Sequence, residues 1–302
     1  MAKTKTPFLS LGASGSIGGV VTAQKRGTST LLRAKPIPAY RYTLPQAYQR
    51  WLYEDYAYLW TQQTTAVKQS YATQGSRFHL TGFQQWMSYH LAHLPDIALM
   101  LHMDEKAGAI VYDSSKNQRN FTLYGASPIT GIIDGSLRFD GINDRLTRNP
   151  YLVTAPFTIL LWWKRLGNSG GSYSSGFHML LNFINGNINN SLLVSKAGTI
   201  FGVQIRVAGV SKSRTLTIPL PNEPHLLGAI WTGDQLYILV DTTFSSPTAA
   251  AGILISGTTA LTIGWRDATQ HIANGMIDHL VHYTRVLNPT EILRHSLRRY
   301  PP

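Results

Sequence analysis

Carboxylates are the residues best placed to do chemistry in this chain, and their spacing is unfavourable for it. The glutamates are Glu54, Glu105, Glu223 and Glu291. Retaining cleavage of a glycoside needs two carboxyl groups about 5 Å apart, which on a strand means acids at alternate positions. None of the four has such a neighbour, and the sequential Asp104-Glu105 pair would point to opposite faces of a strand. The ten histidines include two pairs three residues apart, His90/His93 and His279/His282. The first pair shares a face if helical, but a zinc site needs further ligands, so solvated or hydrogen-bonded rings are expected. The absence of cysteine removes thiolate catalysis, disulfides and Cys-based zinc sites. No nucleophile-elbow pattern presents a serine. Catalysis is not expected.

Two aromatic residues in loop-like segments, Tyr173 and Trp265, offer a gentler chemistry. Their flat, amphipathic faces could stack on a sugar ring, or pack inward. Asp140 and Asp144, around Gly141-Ile142-Asn143, suit a tight turn in which the carboxylates cap backbone N–H groups.

The elements that position these residues follow from length and patterning. At 302 residues the chain exceeds one average domain. Its net charge is +12, concentrated early: residues 1–97 carry 10 Lys/Arg against 3 Asp/Glu. Such a field favours an acidic partner, whether protein lattice, anionic surface or nucleic acid. No recognition motif for nucleic acid accompanies it. No apolar run suits a signal peptide, and none approaches the roughly twenty residues of a membrane helix. A soluble protein without membrane insertion, made in a reducing cytoplasm, is expected.

Residues 1–42 read as a basic, glycine-rich arm. The runs around Gly27 suggest a hairpin, and Lys3, Lys5, Lys25, Arg26, Arg33 and Lys35 are its candidate anchoring cations. Residues 43–96 read as a helical hairpin. Thr43-Leu44-Pro45-Gln46 opens a long helix to about residue 73, with Tyr48, Leu52, Tyr56, Leu59, Trp60, Val67 and Tyr71 at helical spacing. Thr81-Gly82-Phe83-Gln84 is a second capping box, opening a helix whose face carries Phe83, Trp86, Met87 and Leu91. These aromatics read as core, with a base-stacking platform as the sharper alternative.

The order of these features, from Ser10-Leu11-Gly12-Ala13-Ser14-Gly15-Ser16-Ile17-Gly18-Gly19 to Leu80-Thr81-Gly82-Phe83, resembles a small module at the start of bacteriophage structural proteins. The resemblance implies attachment to a particle and covers about residues 5–94.

Residues 97–302 alternate inward and outward side chains between closely spaced turn signals, the pattern of a two-sheet β-sandwich. Ser136-Leu137-Arg138-Phe139-Asp140-Gly141-Ile142-Asn143-Asp144, Phe157-Thr158-Ile159-Leu160-Leu161-Trp162-Trp163 and Asn274-Gly275-Met276-Ile277-Asp278 occur in order, followed by Tyr283-Thr284-Arg285-Val286-Leu287-Asn288-Pro289. This succession resembles the laminin-G-like jelly roll of the concanavalin A-like superfamily over about residues 98–297. The resemblance implies a binding face rather than an enzyme. It also implies a possible calcium ion on Asp113, Asp140 and Asp278, with Asn117 or Asp144 as helpers. His279 stands where relatives often place a second acid.

The expected fold is therefore mostly β: an antiparallel jelly-roll sandwich preceded by a basic arm or hairpin and a helical hairpin. The expected function is that of a bacteriophage virion protein made in the host cytoplasm. Its N-terminus would bind the capsid or tail lattice as part of a homo-oligomeric assembly. Its jelly roll would serve as a decoration, fibre or adhesion domain, touching host glycans. The alternatives are a non-viral carbohydrate-binding module and a nucleic-acid-binding protein that uses the basic N-terminus.

Overall fold

A computed structural model describes residues 15–17, 21–26, 29–34, 44–168, 177–185, 193–197, 199–207, 210–220, 222–251, 259–265 and 272–297, some by backbone alone. The chain divides into two compact units, Met1–Arg50 and Trp51–Pro302. In the first, β1 (Gly15–Ile17), β2 (Val21–Arg26) and β3 (Ser29–Ala34) form an antiparallel sheet in that order. Arg26 stands opposite Ser29, the register of the expected hairpin.

The boundary falls within α1 (Leu44–Gln62), so most of the helical segment shares a unit with the sandwich. The single helix expected to residue 73 is two: α2 (Thr65–Ser76) starts afresh after α1. The Thr64 side chain accepts the Val67 N–H, and a hydroxyl at that position caps a new helix rather than prolonging the old one. The third helix, α3 (Gly82–His93), opens on the expected capping box of Thr81 and Gln84. The aromatics of all three helices converge. Trp86 lies against Trp60, Tyr71 and His90, and donates its indole N–H to the Tyr56 carbonyl.

The larger sheet contains β4 (Ile97–Leu101), β7 (Ser127–Thr130), β8 (Gly135–Asp140), β10 (Phe157–Arg165), β15 (His225–Trp231), β16 (Gln235–Val240), β17 (Thr243–Phe244), β18 (Thr248–Ala249) and β20 (Asn274–Tyr283). Its order is β17-β16-β15-β10-β20-β8-β7, with β18 on β16 and β4 on β20. The facing sheet contains β5 (Ile110–Val111), β6 (Phe121–Tyr124), β9 (Arg145–Arg148), β11 (Phe177–Asn185), β12 (Leu193–Ala197), β13 (Ile200–Val207), β14 (Val210–Thr217) and β19 (Thr259–Ile263). Its order is β14-β13-β12-β11-β19-β9-β6-β5. All pairings in both sheets are antiparallel. The fold is thus the expected mostly-β antiparallel sandwich.

Alternation explains which residues meet. Ile159, Leu161 and Trp163 of β10 point into the shared core with Leu137, Phe139, Phe201, Val203, Leu261 and Ile263. The intervening Thr158, Leu160 and Trp162 are also buried, so the central strands are covered on both faces. This accounts for their unbroken apolar runs. Beyond β20, α4 (Pro289–Leu297) is held by Arg285, whose guanidinium donates to both oxygens of the Glu291 carboxylate and lies 3.4 Å from Asp96.

Candidate functional site

The outer face of the smaller sheet is polar because its strands alternate. Phe121, Leu146, Leu181, Leu261, Ile263, Phe201 and Val203 take the inner positions. Registers then place Thr122, Thr147, Thr262, Asn182, Gln204 and Ser213 in one row on the other face, which crosses the backbone of β12 between Asn182 and Gln204. Thr262 and Asn182, at the centre of the row, are themselves buried, so its accessible polar groups are Thr122 and Thr147 toward one end and Gln204 and Ser213 toward the other.

At one end of this face stand Tyr124, Arg145 and Trp265. The Arg145 guanidinium lies 4.3 Å from the centre of the Tyr124 ring and 5.1 Å from that of Trp265. Both are distances at which a cation is attracted to an aromatic face. Tyr124 is 43% exposed. The sequence builds this group with two glycines. Gly264 adopts φ +82, and a Cβ there would stand 2.3 Å from the Phe139 ring. Only glycine lets the chain turn so tightly after β19; Trp265 then comes back over the sheet, its carbonyl accepting the Thr262 hydroxyl at 2.8 Å. Gly125, at φ +79, leaves room for the Asp144 carboxylate, whose other oxygen accepts the Asp140 N–H. Burial raises the carboxyl pKa of Asp144.

Trp265 is thus one of the expected ligand-binding residues and belongs to a definite cluster; Tyr173 lies outside the described residues, as do Lys3, Lys5 and Lys35. Of Lys25, Arg26 and Arg33 the backbone alone is described: they sit on β2 and β3, with Lys25 opposite Thr30. Tyr124 and Arg145 carry no motif that marks them in the sequence. The available signal is alternation, since Leu123 and Leu146 point inward and their neighbours must point out.

The aspartates implied as calcium ligands do not come together. The Asp113 carboxylate is occupied by the N–H groups of Met100, Ser115 and Arg119 and by the Ser115 hydroxyl. Asp140 accepts the Ile142 N–H at 2.7 Å, the capping turn expected from its sequence. Asp278 is fully buried on β20, one oxygen accepting the N–H groups of Ile132 and Ile133. Among the described residues no three Asp, Glu or His side chains gather as ligands for a metal ion. The trio therefore does not fit a shared calcium site: each carboxylate is committed to a different stretch of backbone.

Several histidines are hydrogen-bonded as expected, among them His93, His225 and His282, but His90 departs from expectation. His90 is neither solvated nor hydrogen-bonded: it is buried against Trp86, with ring centres 3.8 Å apart, and burial lowers its pKa. His282 is buried and its Nδ1 lies 2.6 Å from the Tyr151 hydroxyl. Asp104 and Glu105 are not on a strand. Met103, at φ +62, ends the alternation before them, and both acids line one cleft.

No family model matches the chain, and no curated protein matches it. Solved structures do. Domain 4 of AbnA, a GH43 extracellular arabinanase from Geobacillus stearothermophilus, solved with arabinotriose, is 13% identical with a TM-score of 0.52, covering 66% of this chain and 97% of that one. The binding domain of Paraclostridial Mosquitocidal Protein 1 is 12% identical, TM-score 0.53, over 67% of this chain and 52% of that one. The botulinum neurotoxin serotype D binding domain is 10% identical, TM-score 0.51, over 67% and 51%. The likeness is one of fold: this chain shares the β-sandwich of these domains. The chain spans about half the length of the toxin binding domains it matches.

Proposed function

We propose that the sandwich is a non-catalytic glycan-binding domain whose ligand lies on the outer face of the smaller sheet. The observation that carries this reading is the Tyr124–Arg145–Trp265 cluster beside the polar row. Aromatic faces accept the C–H side of a sugar ring, while the guanidinium and the accessible Thr122 and Thr147 hydroxyls meet its hydroxyls. The arabinotriose bound to a domain of the same fold in the arabinanase supports it. A glycan array probed with the full chain is the test. Retention of a defined glycan set is expected, with affinity falling about tenfold or more in Arg145→Ala and Trp265→Ala, the loss typical of a central binding residue. Binding untouched by both substitutions would sink the proposal.

The finer reading is that of a bacteriophage virion protein, its N-terminal basic hairpin docking on an acidic particle lattice and the sandwich displayed. It rests on the ordered resemblance of residues 5–94 and on the concentration of positive charge before residue 98. Mass spectrometry of particles purified from a producing culture tests it: peptides from both units should co-purify in fixed ratio. Absence from particles would leave a free carbohydrate-binding module.

A further inference from the structure

A second cleft lies on the other sheet, at the β7–β8 edge. Asp104, Glu105, Lys106, Pro128, Ile129, Thr130, Asp134, Gly135 and Ser136 line a volume of about 240 Å³. This is below the roughly 300–1,000 Å³ of drug-sized sites, so it suits a ligand of one ring. Its charge runs against that of the molecule: three carboxylates and one lysine line it, in a chain of net charge +12. Such a concave acidic patch concentrates cations.

The cleft also contains polar groups with nothing to bond. Leu137 and Phe139 point into the core, so Ser136 faces outward; it is fully buried in the lining, and its hydroxyl has no partner. One oxygen of Glu105 accepts the Tyr112 N–H, while the other is buried and unpartnered. Asp278 of β20 lies outside the lining, directly after Ile277, the partner of Leu137. Its second oxygen is also buried without a partner. Asp134 holds φ +128, a conformation rare for a side-chain-bearing residue, at the rim of the cleft. Native interiors seldom leave so many neighbouring polar atoms unbonded, and a ligand is one resolution. A bare metal ion is not the matching one, because among the described residues no three acids gather around a single point. Acids spread around a ring-sized cleft instead suit a cation carried on a larger polar molecule.

We propose that this cleft binds a protonated amino sugar, its ammonium group among Asp104, Glu105 and Asp134 and its hydroxyls toward Ser136 and Thr130. The site extends the carbohydrate-binding reading but uses none of the residues of the Tyr124–Arg145–Trp265 face. The probes are D-glucosamine, N-acetyl-D-glucosamine and D-glucose, titrated into the full chain by calorimetry at neutral pH. Glucosamine should bind, and the two uncharged sugars should bind at least about tenfold more weakly, the ratio one charge-assisted hydrogen bond supplies. Asp134→Asn and Glu105→Gln, which keep the shape of each side chain, should each lower glucosamine affinity several-fold, while Trp265→Ala should leave it unchanged. Equal binding of the three sugars, no binding of glucosamine, or indifference to both cleft substitutions overturns the proposal. Loss of glucosamine binding in Trp265→Ala would also overturn it, by assigning the sugar to the other face. Array binding that depends on Arg145, with no glucosamine binding, leaves the first reading intact and removes only this one.

Discussion

Single buried ionisable side chains should govern how this protein responds to pH. Burial pushes the Asp278 carboxyl up to about 7, against the hydrogen bonds from Ile133 and Ile132 that favour its charged form. A carboxyl raised on folding binds its proton more tightly in the native state, so its contribution to stability is complete below the unfolded value near 4 and lost as pH rises through about 7. Asp278→Asn keeps an oxygen for the two N–H groups and removes the charge. Its melting temperature relative to the parent should therefore climb between pH 4 and pH 8. The gain corresponds to roughly 1.4 kcal/mol for every tenfold difference in proton affinity between the folded and unfolded states. His102 and His282 act oppositely. Burial lowers them to about 4 and about 3. Stability from neutral burial is complete above about 6.5 and lost as pH falls through those values. In His102→Gln, acidification from pH 7 to pH 4 should cost less stability than in the parent, as read by urea midpoints at each pH. None of this is visible in the sequence, because a histidine at a given spacing looks the same whether it meets water, a tyrosine hydroxyl or the face of Trp86.

Elements are far more legible than sites. The Phe157–Trp163 run, the Phe139-Asp140-Gly141 turn and the Thr81–Gln84 capping box announce themselves, since each is decided by residues close in sequence. The break between α1 and α2 is hidden because the apolar spacing from Leu52 to Tyr71 continues across it, and a single hydroxyl, that of Thr64, decides the matter. The Tyr124–Arg145–Trp265 group is hidden for another reason: three strands or strand ends distant in sequence meet only when the sheet forms. Two substitutions probe this scale. Gly264→Ala should destabilise by about 1–3 kcal/mol through its positive φ and its clash with Phe139, as read by urea unfolding, and should reduce glycan binding by displacing Trp265. Thr81→Ala removes a cap and should cost about 1 kcal/mol, followed by tryptophan fluorescence from the Trp60–Trp86 pair.

For the molecule as a whole, the helices from residue 51 onward belong with the sandwich. Arg294 donates to the Glu54 carbonyl and lies 4.0 Å from Asp55, while Tyr56, Ile97, Tyr283 and His295 line one small cavity. A fragment of residues 51–302 should melt in one transition, with far-ultraviolet circular dichroism and tryptophan fluorescence coinciding; two separated transitions would show helices and sandwich to be independent. β20 carries a further implication for biosynthesis. It lies between β10 and β8 and also pairs with β4, yet among the described strands it is the last in chain order. At roughly 5–20 residues per second, a ribosome delivers β4, β8 and β10 several seconds before the strand that joins them. Until then Trp162, Leu160, Leu137 and Leu101 have no strand partner on that side, and nascent chains stalled before β20 should be cut by protease more readily than chains that include it.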